Sequence, residues 1–211
     1  MNETLERFVT GPIDTNTYVL ANDAKECIII DPSSGCGEVL SYIRENRLNP
    51  LAILITHGHF DHIGGIPEII GHYPTIRLLI NPAERSSLVN PHRNMSMLLG
   101  MSFSYDGDSE PLEEGKFSIG GFSGTVYYVP GHSPGGSALY IAPNLLCGDI
   151  LFAGSVGRTD FEGGDHAKLV CGIISKLMPL PDDTVVCPGH GGRTTIGRER
   201  RMNPYLNGMA Q

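Results

Sequence analysis

The sequence predicts an α+β chain in which two β-sheets pack face to face and helices cover their outer sides. Three observations lead there. Short apolar, β-branched runs recur along the whole length, as strands buried on a sheet do. Each half reads as strands followed by a helix, and layers of this kind bury one face of every element. Four of the runs (Leu51–Thr56, Thr125–Val129, Leu145–Cys147 and Thr184–Cys187) lead into a histidine or aspartate. In layered folds, the carboxyl ends of strands are where sites are assembled.

Taken in order, three strands run up to Asp31, and a helix is expected at about Gly37 to Asn46. The strand ending at Thr56 follows, then a helix from Ile63 to Tyr73 whose N-terminus points at the histidine-rich loop before it. A strand at Ile76 to Ile80 and a helix at Pro82 to Val89 complete the first half. Residues Asn90 to Ser109 hold Pro91, His92 and three methionines without clear periodicity, the pattern of an irregular, mobile segment beside a pocket. The second half has strands from Phe117 onward and a helix at about His166 to Met178 before the last strand. His72 and His92 have no ligand partner in spacing and read as surface or structural histidines. Asp31 ends a strand before Pro32. A turn cap and a bond to a ligand histidine are equally weighted readings for it.

Composition sets limits. A chain of 211 residues is expected to form one domain, 1–211, with a large core. Its five cysteines are scattered without a C-x-x-C pair, which points to reduced thiols in the cytoplasm. Cys147 and Cys187 are expected to be small buried strand side chains. The start, Met1-Asn2-Glu3-Thr4, shows no basic patch with a following apolar stretch. No run reaches the ~18–20 apolar residues of a membrane span, so no membrane partner is expected.

The chemistry concentrates in His57-Gly58-His59-Phe60-Asp61-His62, with His132 and His190 each in a Pro-Gly-His turn and Asp149 after Gly148. Imidazole and carboxylate are the usual ligands of zinc and other borderline first-row metals. Seven candidates, His57, His59, Asp61, His62, His132, Asp149 and His190, are too many for one ion. They suit two ions sharing a carboxylate. Asp149 is the natural bridge, because a carboxylate has two anionic oxygens. Metals roughly 3.5–4 Å apart can hold a hydroxide between them at a bound-water pKa near ~7.

These motifs, together with Gly157-Arg158-Thr159-Asp160, the Thr195–Arg200 run and Asn203-Pro204-Tyr205-Leu206, resemble the metallo-β-lactamase superfamily, and within it the small glyoxalase II-like hydrolases. The resemblance implies a four-layer αββα sandwich of two mixed β-sheets flanked by helices. It also implies two divalent metal ions per chain, zinc first and iron or manganese as alternatives. One would take His57, His59 and His132, the other Asp61, His62 and His190, with Asp149 bridging. Asp61 would in addition orient the hydroxide, as the catalytic residue. The implied reaction is hydrolysis of a small-molecule thioester of the S-lactoylglutathione kind. Longer glyoxalase II enzymes carry a helical C-terminal domain that contacts glutathione, and the residues after Asn203-Pro204-Tyr205-Leu206 are too few for one. No substrate-binding residue is assigned.

Other members of the superfamily define the rivals. Persulfide dioxygenases use one iron, by resemblance at His57, His132 and Asp149. Flavin-linked di-iron members usually carry a glutamate where this chain has His59. A closed, non-catalytic metal module needs fewer ligands than seven. Nucleases need basic surface for phosphates, whereas the formal charge here is −8. The basic cluster Arg198 to Arg201 reads as a solvated helix face, and no nucleic-acid partner is expected. Arg158 and Asp160 could form an ion pair behind the site. Arg158 could equally grip a substrate carboxylate.

Overall fold

Strands whose alternate residues face different cores build this molecule. In the computed structural model, which describes residues 3–207, two six-stranded sheets form its centre. Met1 and Asn2, half of the N-terminal stretch read for a leader, and residues 208–211 lie outside the described part. The first sheet holds β1 (Glu3–Thr10), β2 (Thr15–Asn22), β3 (Glu26–Ile30), β4 (Asn49–Ile55), β5 (Arg77–Ile80) and β6 (Glu110–Pro111), in that order. The β1–β2 and β2–β3 pairs are antiparallel, and the remainder are parallel.

The second sheet contains β7 (Gly115–Ile119), β8 (Phe122–Tyr128), β9 (Ser137–Ile141), β10 (Asn144–Gly148), β13 (Val185–Pro188) and β14 (Thr194–Thr195). Only its β10–β13 pair is parallel. A separate two-stranded hairpin, β11 (Leu151–Phe152) with β12 (Ser155–Val156), follows β10.

Period-two alternation sorts the apolar residues into three layers of core. Ile28, Ile30 and Leu54 point inward against Phe122, Leu139 and Leu146 of the opposite sheet. Their neighbours Ile29, Ile53 and Ile55 point outward, under α1 (Gly37–Glu45) and α3 (Ile66–His72). On the other side, Ala138, Leu145 and Cys147 pack beneath α5 (His166–Gly172) and α6 (Ile196–Met202). Because both faces of the central strands are covered, their sequences read as unbroken apolar runs. The architecture is the four-layer αββα sandwich of mixed sheets.

Three helices differ from the sequence expectation. The helix expected over Ile63–Tyr73 breaks at Gly64-Gly65 into α2 (Phe60–Ile63) and α3. A Cβ on Gly65 would meet Ser33 O at 2.3 Å and Cys36 Sγ at 2.5 Å, so the chain bends where it presses on the turn after β3. Asp61 and His62 therefore sit within the short α2. The helix expected to Met178 passes into a π-helical turn at Ile173–Leu177. The Pro82–Val89 helix is a 3₁₀ turn followed by α4 (Arg85–Val89). Among the described residues, no helix is long and apolar enough to cross a membrane.

Candidate metal centre

All seven candidate ligands meet at one edge of the sandwich. The loop after β4 supplies His57 and His59, and α2 supplies Asp61 and His62. The turns after β8, β10 and β13 supply His132, Asp149 and His190. His57 Nε2, His59 Nδ1 and His132 Nε2 stand 3.0, 3.1 and 3.3 Å from one another. Two of these rings spend their N–H elsewhere. His132 Nδ1 donates to the Arg158 carbonyl at 2.8 Å. Thr56 Oγ1 gives its proton to Asp31 Oδ2 at 2.6 Å and so accepts from His57 Nδ1 at 3.2 Å. The unprotonated Nε2 atoms of His57 and His132 are therefore crowded together beside His59 Nδ1, an arrangement that suits a shared cation.

A second set lies beside the first. Asp61 Oδ2 is 3.2 Å from His62 Nε2 and 3.1 Å from His190 Nε2. Asp149 spans both sets, its Oδ1 3.4 Å from His62 Nε2 and its Oδ2 3.5 and 3.7 Å from His190 and His132. His62 Nε2 and Asp149 Oδ1 are buried without a hydrogen-bond partner, an uncommon and costly state. The donor set thus fits a binuclear metal site.

Charge is distributed to match. Burial, and then the neighbouring His62, His59 and His132, hold His57 well below the usual histidine range. Burial and His132 push His59 down to about 3. His62 goes the other way: burial opposes its charge, but Asp61, Asp149 and Asp31 overcome it and hold the imidazolium. Burial likewise opposes ionisation of Asp61 and Asp149, and His62 outweighs it in both. Asp61 and Asp149 favour the charged form of His190 as well, against its burial.

Behind the ligands lies a row of orienting groups. Asp31 accepts from Thr56 N at 2.8 Å and faces His62 Nδ1 at 2.9 Å, besides taking the Thr56 hydroxyl proton. Of its two sequence readings, the bond to a ligand histidine is the one the structure contains. Through Thr56 it also reaches His57, so one carboxylate aims a histidine of each set. Its backbone is left-handed, φ 51°, a conformation non-glycine residues seldom adopt without cause.

Glu84, buried at 1% exposure, accepts from Gly58 N at 3.0 Å and from Gly135 N at 2.5 Å. It ties the His57–His59 loop to the chain just after His132. Thr15 Oγ1 donates to Asp61 Oδ2 at 3.0 Å. Close packing leaves no room at Gly189, where a Cβ would lie 2.2 Å from Asp149 Oδ1 and 2.5 Å from His62 Cε1. Sequence reasoning did not find Thr15, Thr56 or Glu84. Thr56, a polar residue closing an apolar strand beside a ligand, carried a faint signal. Thr15 and Glu84 are distant in the chain and carried none.

Above the ligands opens a cleft of about 480 Å³. His59, Asp61, His132, Asp149 and His190 line its floor, and Met95, Leu98, Phe152, Arg158 and Phe161 line its walls. Arg158 and Asp160 do form an ion pair, through two bonds of 2.7 Å, but at the exposed mouth of the cleft rather than behind the site. The guanidinium also stacks on Phe161, 3.9 Å from the ring centre.

Residues Asn90–Ser109 are irregular as expected, with a 3₁₀ turn at Ser96–Leu99. Buried Asn94 holds the segment together: its Nδ2 donates to the Ser87 and Phe103 carbonyls, and its Oδ1 accepts from Ser96 N. The Arg198–Arg201 stretch is solvated only in its arginines. Glu199 is fully buried, bound to Thr194 Oγ1, Gly154 N and Asn203 Nδ2. It anchors the β11–β12 hairpin, whose Phe152 lines the cleft. Cys147 and Cys187 are both buried, and burial pushes the Cys187 thiol up to about 11.

The profile of the Metallo-beta-lactamase superfamily matches residues 10–190. The chain belongs to the metallo-β-lactamase superfamily. Among its relatives, "Probable metallo-hydrolase YqgX" of Bacillus subtilis (strain 168) is 38% identical, over 97% of this chain and 98% of that protein. "Hydroxyacylglutathione hydrolase GloC" of Haemophilus influenzae is 34% identical, over 91% and 92%. Among solved structures, the BLEG-1 B3 metallo-β-lactamase superposes with a TM-score of 0.93 at 40% identity, covering 97% of this chain and all of that one. TTHA1623 in a di-iron-bound form gives 0.86 at 33% identity, over 95% and 100%. The superfamily is thus shared by proteins named for different substrates, and the decision between them falls to the residues of the site.

Proposed function

We propose that this chain is a binuclear metal-dependent hydrolase of small-molecule thioesters, with S-lactoylglutathione as the reference substrate. The observation that carries this reading is the convergence of histidine ring nitrogens and carboxylate oxygens in adjoining sets. His57, His59 and His132 would hold one cation and Asp61, His62 and His190 the other, with Asp149 between. Nitrogen and oxygen donors suit zinc, and also iron, as in the di-iron form of TTHA1623. Bound there, two divalent cations supply a nucleophilic hydroxide at neutral pH and polarise the carbonyl oxygen.

The chain's own residues do the positioning. Asp61, steadied by the Thr15 hydroxyl, presents a carboxylate at the cleft floor that can accept a hydrogen bond from the attacking oxygen and so aim it. As the carbon–oxygen bond forms, the carbon–sulfur bond breaks and its electron pair leaves on sulfur. A thiol has a pKa of about 8.5, so the thiolate departs without a proton donor. A leaving amine needs one. Outside the candidate ligands, the described residues lining the cleft include no carboxylic acid, histidine, lysine, tyrosine or cysteine to supply that proton. That contrast favours a thioester over a β-lactam. The Haemophilus relative named a hydroxyacylglutathione hydrolase is matched over nearly all of its length, which supports thioester chemistry on a chain of this size.

Elemental analysis per chain, paired with a thioester assay, tests the reading. Two ions per chain and turnover of S-lactoylglutathione are expected. One iron per chain, with oxygen uptake on a persulfide, would replace this reading with the dioxygenase. Faster turnover of a chromogenic cephalosporin than of any thioester would replace it with a β-lactamase. A single iron on His57, His132 and Asp149 would leave the second set, Asp61, His62 and His190, without a metal to hold.

A further inference from the structure

The walls of the cleft are apolar where the floor is polar. Ile13 from the β1–β2 turn, Phe152 from the hairpin and Phe161 join Met95, Leu98 and Leu99 of the irregular segment. Several of these are exposed: Leu98 at 71%, Ile13 at 46% and Leu99 at 41%. Scattered exposed apolar side chains are ordinary, but these line one concave surface directly above the metal-ligand floor. An apolar pocket with a few convergent polar groups is the usual form of a small-molecule site.

The polar side chains among those walls already have protein partners. Both donor contacts and the acceptor of Asn94 go to backbone. Ser155 Oγ donates to the Val156 carbonyl at 3.4 Å. The Arg158 fork, the group best shaped to grip a substrate carboxylate, is closed on Asp160, and its face lies on Phe161. A glutathione moiety, with two carboxylates and an ammonium, would meet few open partners here. An aliphatic chain would meet many.

We infer that the cleft binds an apolar chain of its substrate, so that the preferred thioester carries an aliphatic or aromatic group of butyryl size or larger beside the scissile bond. The inference rests on the thioester reading above. The chain could be on the acyl side or the thiol side, since both adjoin the reacting carbon.

Two series separate them: acetyl to octanoyl thioesters of N-acetylcysteamine, and lactoyl thioesters of methyl to hexyl thiols. In one series kcat/KM should rise about two- to fourfold per methylene and pass the value for S-lactoylglutathione. Leu98→Ser should flatten that slope, and as an exposed position it leaves the fold intact. Flat or falling values in both series, with S-lactoylglutathione the best substrate, would overturn the inference while leaving thioester hydrolysis standing. A binding measurement keeps the two readings apart if no thioester turns over. Calorimetric titration of the metal-loaded protein with S-hexyl and S-methyl thioethers of N-acetylcysteamine compares chains on a common head. Tighter binding of the hexyl compound by tenfold or more supports the apolar cleft, and equal binding refutes it.

Discussion

At and beneath the floor of the cleft, the candidate ligand side chains are backed by buried partners: His57 and His62 by Thr56 and Asp31, His132 by a backbone carbonyl, Asp61 by Thr15. At the rim, Ile13, Leu98 and Leu99 stand exposed, with no polar atom to direct them. The floor gains its geometry from hydrogen bonds made in a low dielectric, where each bond is strong and each loss is costly. The rim gains its selectivity from apolar area alone, which is non-directional and tolerant of change. Reactivity in this molecule is therefore held rigidly and specificity loosely.

Four substitutions test that contrast. Asp149→Ala removes the carboxylate that reaches both ligand sets, and should abolish turnover together with loss of metal. Elemental analysis beside the assay would show whether activity survives depletion. Asp31→Asn touches no substrate yet unseats a histidine of each set. A drop of about 10–100-fold in metal affinity is expected, read by competition with a chromophoric chelator; unchanged affinity would detach Asp31 from the site. Glu84→Gln sets an amide N–H against a backbone N–H between the two loops. It should cost about 1–3 kcal/mol, visible as a lowered denaturation midpoint at constant m-value. Leu98→Ser should leave stability within about 0.5 kcal/mol. A larger loss would mean that the rim is part of the fold and not an open wall.

How legible the molecule was in its sequence varied with distance along the chain. The β4 strand and the His57–His62 loop are contiguous, so the apolar run and the ligand spacing could be read together. The Pro-Gly-His turns and Gly148-Asp149 each gave a ligand and a strand end, since turn glycines such as Gly189 reflect the close approach of His62 and Asp149. The split of the expected Ile63–Tyr73 helix had a signal in Gly64-Gly65, since a Gly-Gly pair marks a turn, but the apolar spacing on either side of it reads as one helix. What breaks it is contact with Ser33 and Cys36. Glu199 was misread for a similar reason. Flanked by arginines, it has the pattern of a solvated face, and only the packing of α6 against Gly154 and Thr194 shows it buried.

The residue types and their spacing by themselves determined the layered α+β fold and which seven side chains could gather as metal ligands, and the family followed from the resemblance of those motifs. Period-two burial and strand-end turns are local properties, written in consecutive residues. Tertiary structure decided which nitrogen of His57 and His132 is left unprotonated, and that Asp31, Thr15 and Glu84 stand behind the ligands. It also decided that the cleft wall is apolar and the Arg158 fork already occupied. Those features depend on distances between residues far apart in the chain, and such distances exist only once the two sheets have closed on each other.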